Sequence, residues 1–405
     1  MSEEDRNQFS AADAALGYLY QVRVALLWAL RRLKSATEFL VSVETLDDVT
    51  FETKDGTAVQ LLQTKHHRTR KASLSDASPD LWKSLRIWFE GRAAKSILAD
   101  AALHLLTTAA APAGSAAAYL RLEGRNVDAA LAALQSTAQS STNAANMAAY
   151  EAFLKASPAT RKAILETVVV IDAAPRVCAL DQELRAEVFW AADRKDHDAF
   201  LDRLEGWWLR RVLKQLAAVG RADLILAGEI EAEMSDLRDQ FKQDSLPIDE
   251  DLLGFSLDDA TNRTHAESTF VHQLNLIKAG KRRIAAAIRD YYRAFEQRSR
   301  WLRNDLLLVG DLEKYERKLI EEWEIVFEAM RDEIGNNAAE DAKERAARVV
   351  LQWAERVSIP IRPRVTEPFV TRGSLHMLAD EVRVGWHPEF RDRLAALLAV
   401  SRGAA

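Results

Sequence analysis

A single cysteine, Cys178, is the only thiol in the chain. That excludes a disulfide framework and fits a reducing cytoplasm; the residue reads as a small buried side chain rather than a nucleophile. Proline and glycine are scarce, at 9 and 15 of 405 residues, while alanine is abundant, and this composition points to a helix-rich protein. No long apolar run exists: residues 18–30 come closest, and Gln21 and Arg23 interrupt them before the ~18 residues a membrane span requires. The first residues, MSEEDRNQF, are acidic and polar, so no signal peptide is expected. A basic excess is missing too. The net charge of −6 argues against a nucleic-acid coat, although it leaves room for a local basic groove.

Several catalytic motifs are also missing. Gly280-Lys281-Arg282 lacks the glycine five residues earlier and has Arg where a phosphate-binding loop needs Ser or Thr. ATP dependence must therefore come from a partner. There is no G-x-S-x-G, and His66-His67 has neither a cysteine cluster nor an H-E-x-x-H to make a zinc site. Trp207, Trp208, Trp301, Trp323, Trp353 and Trp386 read as core or interface residues.

What is present centres on residues 41–65, VSVETLDDVTFETKDGTAVQLLQTK, which read as three strands over 41–44, 49–53 and 58–65. Asp55-Gly56 marks a hairpin turn, because Gly accepts positive φ and Asp tolerates it. Along the third strand Val59, Leu61, Gln63 and Lys65 share one face, and Ala58, Gln60, Leu62 and Thr64 the other. A mostly buried strand ending in Gln63 and Lys65 sets an ammonium beside an amide and calls for a carboxylate nearby. Asp48, at the start of the partner strand, is the candidate.

Ser10-Ala-Ala-Asp13 has the form of a capping box, opening a helix that runs to about Lys34. Ser78-Pro79 opens a second, with Leu81, Leu85 and Trp88 or Phe89 as its apolar stripe. Residues 103–108 read as a fourth strand, so helix, three strands, helix and strand imply a mixed sheet covered by helices. Residues 168–171 fit a strand or a helix end equally. The chain is nearly all helical beyond Leu180, apart from a loop at 243–256. One long helix is expected over 266–302, a turn at Gly310-Asp311, further helices to Met330 and over 341–357, and a proline-rich break at 359–368.

A metal-dependent phosphodiesterase needs a carboxylate, an oxygen partner for the ion and a cation at the phosphate or attacking water. Asp48, Gln63 and Lys65 would meet those needs if the hairpin brings them together. The alternative from spacing alone is a polar hairpin end with a satisfied Asp–Lys pair. Asp47 competes for the role of Asp48, which is preferred because it abuts the apolar strand. Glu44 is a further candidate ligand or a strand-end surface acid, and Gln21 a helix-borne contributor or an ordinary buried amide. His66, His67, Arg68, Arg70 and Lys71 follow directly. They read as a DNA-backbone contact or as a solvated basic loop.

The layout of residues 10–110, with Asp on the second strand and Q-x-K ending the third, resembles the PD-(D/E)XK nuclease superfamily. Gly17-Tyr18-Leu19-Tyr20-Gln21, Glu44-Thr-Leu-Asp-Asp48 and Gln63-Thr-Lys-His66 are similar to the nuclease domain of CD-NTase-associated and Lamassu anti-phage effectors. The resemblance implies a bacterial DNA endonuclease using Mg²⁺ or Mn²⁺, with Asp48 and Gln63 on the metal and Lys65 catalytic. Gln63 stands where many members carry Glu; a Q-x-K variant is familiar in Mrr-like nucleases. The stretches FVHQL (270–274), RIAAAIRDYY (283–292), RSRW (298–301) and GWHPEF (385–390) resemble the helical C-terminal regions of ABC-three-component and Lamassu proteins. That likeness implies docking on an SMC-like ATPase and its small companion, and self-association when active.

The expected fold class is thus α+β: a restriction-endonuclease-like nuclease core over 1–115, a mostly helical extension over 116–245 and an all-α partner-docking region over 246–405. A catalytically inactive DNA-binding or scaffold subunit is the alternative.

Overall fold

A computed structural model describes residues 3–67, 72–218, 223–335 and 337–403. The chain forms two compact units, Met1–Ala191 with Phe200–Asp236, and Ala192–Ala199 with Leu237–Ala405. The architecture is mixed α+β, with one sheet in the first unit and helices in the second.

The strands are β1 (Leu40–Val43), β2 (Val49–Glu52), β3 (Ala58–Lys65), β4 (Ala102–Thr107), β5 (Val168–Ile171) and β6 (Ile225–Leu226). Their order across the sheet is β5-β4-β3-β2-β1-β6, so the sheet draws strands from well beyond residue 115. The β2–β3 turn closes as its sequence dictates. Gly56 takes φ 82°, its N–H donates to Thr53 O at 2.9 Å, and Thr53 N donates to Thr57 O at 2.9 Å. β1, β2 and β3 pair antiparallel, and β3 pairs parallel with β4. That parallel step needs a crossover, supplied by helix α2 (Pro79–Ala93). Helix α2 starts at its proline, where the missing N–H costs no hydrogen bond.

The alternation in β3 decides what each face packs against. Leu61 lies in one core with Leu103 and Leu105 of β4, Val168 and Val170 of β5, and Leu81, Trp82, Leu85, Trp88 and Phe89 of α2. Burying each such leucine contributes about 1.5–3 kcal/mol. The opposite face belongs to helix α1 (Glu3–Leu33). There Arg32 Nη1 donates to Gln60 Oε1 at 3.0 Å, and the Trp28 and His104 rings meet at 5.1 Å. Helix α1 begins ahead of the Ser10–Asp13 box, which lies inside it. On the outer side of β1, β6 pairs only with Leu40 and Val41. Beyond it the Gln215 side chain takes over: Val43 N donates to its Oε1 at 3.1 Å, and its Nε2 donates to Val43 O at 3.2 Å.

In the second unit the single helix expected over 266–302 is broken. Thr269–Leu276 and Lys281–Arg303 are separate helices. Lys278 between them takes φ 56°, and Gly280 is extended as the N-cap of the second. The freed carbonyl of Ile277 accepts from Arg348 Nη1 at 3.0 Å, so a long-range bond stabilises the break. Gly310-Asp311 is likewise no turn but the first turn of helix Val309–Ile334; the bend lies at Asp305, with φ 54°. Helices Lys281–Arg303 and Pro368–Asp380 touch at Gly373, where an added Cβ would come within 2.1 Å of Asp290 O and 2.4 Å of Ala294 Cβ. Trp301, Trp323 and Trp386 are buried in this unit, as the sequence indicates. Cys178, expected to be buried, is exposed. Among the described residues no helix is long and apolar enough to cross a membrane.

Candidate active site at the open end of the hairpin

The pairing register builds the site. Val49 opposes Leu62, so Asp48, one residue earlier, faces Gln63, one residue later. Gln63 and Lys65 share the Leu61 side of β3, the α2 side. The β1–β2 connection is short, closed by Val43 against Val49 and by Glu44 N donating to Asp48 O at 3.0 Å. Glu44 turns the chain there with φ 54°, a costly conformation for a residue with a Cβ.

The three proposed side chains converge. Asp48 Oδ1 lies 3.5 Å from Gln63 Nε2, and Lys65 Nζ donates to Gln63 Oε1 at 3.0 Å. The ammonium thus turns to the amide oxygen, whereas a direct Asp48 partner was expected. Asp48 Oδ2 instead accepts from Thr64 N at 2.7 Å and Thr64 Oγ1 at 3.1 Å, fixing the carboxylate plane. Asp47, the rival carboxylate, occupies a different place. It is buried, its Oδ2 accepts from Trp88 Nε1 at 3.0 Å, and its Oδ1 accepts from Gln63 Nε2 and, at 2.9 Å, from Asp48 N.

The electrostatics are those of crowded acids. Burial pushes Asp47 up to about 7, helped by the neighbouring Asp48 charge and opposed by the Trp88 hydrogen bond. Glu44 is raised by loss of hydration and then by Asp48; a hydrogen bond from Gln21 and the charges of Lys65 and Lys83 oppose this. Tyr18, on α1, is raised by burial and by Glu44. Gln21 and Glu44 therefore adjoin the Asp48–Gln63–Lys65 group. Asp47, Asp48 and Glu44 thus crowd one another, with the ammonium groups of Lys65 and Lys83 nearby.

The basic run is only partly described, since Arg68, Arg70 and Lys71 lie outside the described residues. His66 turns inward: its ring meets Tyr20 at 5.0 Å, both nitrogens are buried without a hydrogen-bond partner, and burial holds it below its ordinary pKa. His67 Nε2 pairs with Asp80 Oδ2 at 2.7 Å. Trp88 escaped sequence reasoning as a site residue because it belongs to an apolar stripe. Its indole N–H, reaching a loop 41 positions away, leaves no local signal.

No group of three or more His, Cys, Asp or Glu among the described residues is arranged to hold a metal ion. The Asp48 carboxylate and the Gln63 amide oxygen are donor types that Mg²⁺ takes beside several waters, but that oxygen accepts here from Lys65 Nζ. Residues 270–394, inside the second unit, match the family model for C-terminal domain 7 of the ABC-three component (ABC-3C) systems. That domain indicates a component of an ABC-3C anti-phage defence system. No curated protein matches the sequence.

Proposed function

We propose that the chain is the nuclease effector of an ABC-three-component, Lamassu-like defence complex, hydrolysing DNA phosphodiester bonds with Mg²⁺ or Mn²⁺. The observation that carries this reading is the meeting of Asp48, Gln63 and Lys65 at one end of the sheet. The carboxylate of Asp48 and the amide oxygen of Gln63 would hold the ion. A bound divalent cation there supplies an activated water and stabilises the departing oxygen. Lys65 places a cation where the phosphate gathers charge, and Thr64 keeps Asp48 oriented. Glu44 and Gln21 are candidates for the rim of the same site. The helical second unit docks on the partner subunits, for which we infer an SMC-like ATPase and a small companion. Release from them and self-association switch cleavage on.

The test is nicking of supercoiled plasmid by the full chain with Mg²⁺, comparing the parent with Lys65→Ala. Loss of cleavage in the variant supports the reading; equal cleavage by both points to another site or a contaminant. Full-rate cutting by the isolated monomer would remove the switching element. A second reading, a non-catalytic DNA-binding or scaffold subunit, is favoured by the engagement of both Asp48 Oδ2 lone pairs by Thr64. No cleavage by the parent under any partner or metal condition would support it.

A further inference from the structure

The buried acid beside the site has a part that the proposed function leaves unassigned. Asp47 is 6% exposed, Gln63 3% and Trp88 0%, so their polar atoms must satisfy one another. The amide of Gln63 has only one workable orientation. With Nε2 toward Asp47 it donates to a carboxylate, and with Oε1 toward Lys65 it accepts from an ammonium. Turned over, it would set acceptor against acceptor and donor against donor, losing both bonds. Asp47 cannot rotate away, because Trp88 Nε1 holds Oδ2 at 3.0 Å and Asp48 N holds Oδ1 at 2.9 Å.

We propose that Asp47, anchored by Trp88, is the positioning residue that fixes the Gln63 amide with its oxygen beside Lys65. This rests on the nuclease reading of the site. It also explains the chemistry of position 63. The carboxyl that a glutamate would bring there sits instead at Asp47, in the β1–β2 connection, and the two positions form an acceptor–donor pair. An acid at 63 would press a second carboxyl against that of Asp47, where the amide now donates a hydrogen bond. Restoring the commoner residue type is therefore harmful in this chain unless position 47 changes with it.

The experiment uses the full chain as parent, Asp47→Asn, Gln63→Glu, the double variant and Trp88→Phe. Plasmid nicking with Mn²⁺ is resolved into kcat and KM, and melting temperature is read in metal-free buffer. Gln63→Glu should lose about 10²-fold in kcat with little change in KM, as expected for a misplaced group, and should melt lower. Asp47→Asn should fall similarly. The double variant should recover much of both, though not all, because Asp48 N loses its acceptor. Trp88→Phe keeps an aromatic side chain, though a smaller one, withdraws the N–H and should lower kcat less.

Parental kcat in Gln63→Glu, or a double variant no better than the worse single in both readouts, overturns the proposal. If a single variant does not fold, the double and Trp88→Phe decide: neither a recovered double nor a slowed Trp88→Phe would mean no positioning. If the parent itself fails to nick, melting alone judges the pair. Non-additive melting then upholds the Asp47–Gln63 coupling while the nuclease reading falls; additive melting overturns the coupling as well.

Discussion

Asp47 in the first unit and Asp290 in the second are two buried carboxylates treated in opposite ways. In the second, Asp290 pairs with Arg289 at 3.2 Å and Arg372 at 2.7 Å, and the part-buried Glu316 pairs with Arg298 and Arg383. In the first, the hydrogen bonds to Asp47 come from neutral donors, an indole, an amide and a backbone N–H. Paired charge is silent, and removing one partner leaves the other costly to bury. Without a cationic hydrogen-bond partner, burial raises the Asp47 carboxyl to about 7 instead. The second unit spends its polar groups on holding helices together; the first keeps some in reserve.

Substitutions should therefore separate along this line, the second unit losing stability and the first losing activity. Glu316→Ala strands Arg298, whose side chain is 6% exposed, and should cost about 3–5 kcal/mol in denaturant unfolding, with nicking per folded molecule unchanged. Lys65→Ala should reduce nicking about 10²–10³-fold, equivalent to about 2.7–4 kcal/mol in the barrier, with the melting temperature nearly constant. Instability in Lys65→Ala, or lost nicking in Glu316→Ala, would break the comparison. Gly373→Ala drives a methyl toward Asp290 O and Ala294 Cβ and should cost about 1–3 kcal/mol, again without touching the first unit.

The smallest effect, and the sharpest test, is in pH. Asp47 is raised to about 7 in the folded chain, so it favours folding most below its unfolded pKa, and that contribution is lost as pH rises toward 7. His376, buried between Phe270 and Trp386, is held down to about 3. Its contribution is complete above its unfolded pKa and is lost as pH falls from there toward 3. Hydrogen exchange compared at mildly acidic and mildly alkaline pH should show the amides around Asp47 better protected in acid and those around His376 better protected in alkali. Parallel changes in both units would count against the contrast.

The grouping of Asp48, Gln63 and Lys65 was more legible in the sequence than the helix boundaries were. β3 was readable to the residue because alternation and Asp55-Gly56 fix both its register and its start. Asp48, Gln63 and Lys65 followed from that register. β6 was not readable: two residues, Ile225 and Leu226, carry no periodicity and owe their pairing to β1 alone. The break at Lys278 was hidden because apolar residues continue at helical spacing across it, and the acceptor for Arg348 lies 71 positions away. Asp47 and Asp48 are adjacent and chemically alike, and only the indole reaching from α2 distinguishes the buried one.

The Gln215 side chain against β1 has a consequence for solubility. An outer strand that shows unpaired backbone groups invites another polypeptide to add to it. β6 occupies two positions of that border, Leu40 and Val41, and at Val43 a side-chain amide offers one donor and one acceptor in the manner of a neighbouring chain. A single glutamine thus guards the margin next to the acids. Replacing it with leucine, similar in bulk, should leave Val43 open to templated assembly and make the protein prone to clump at high concentration.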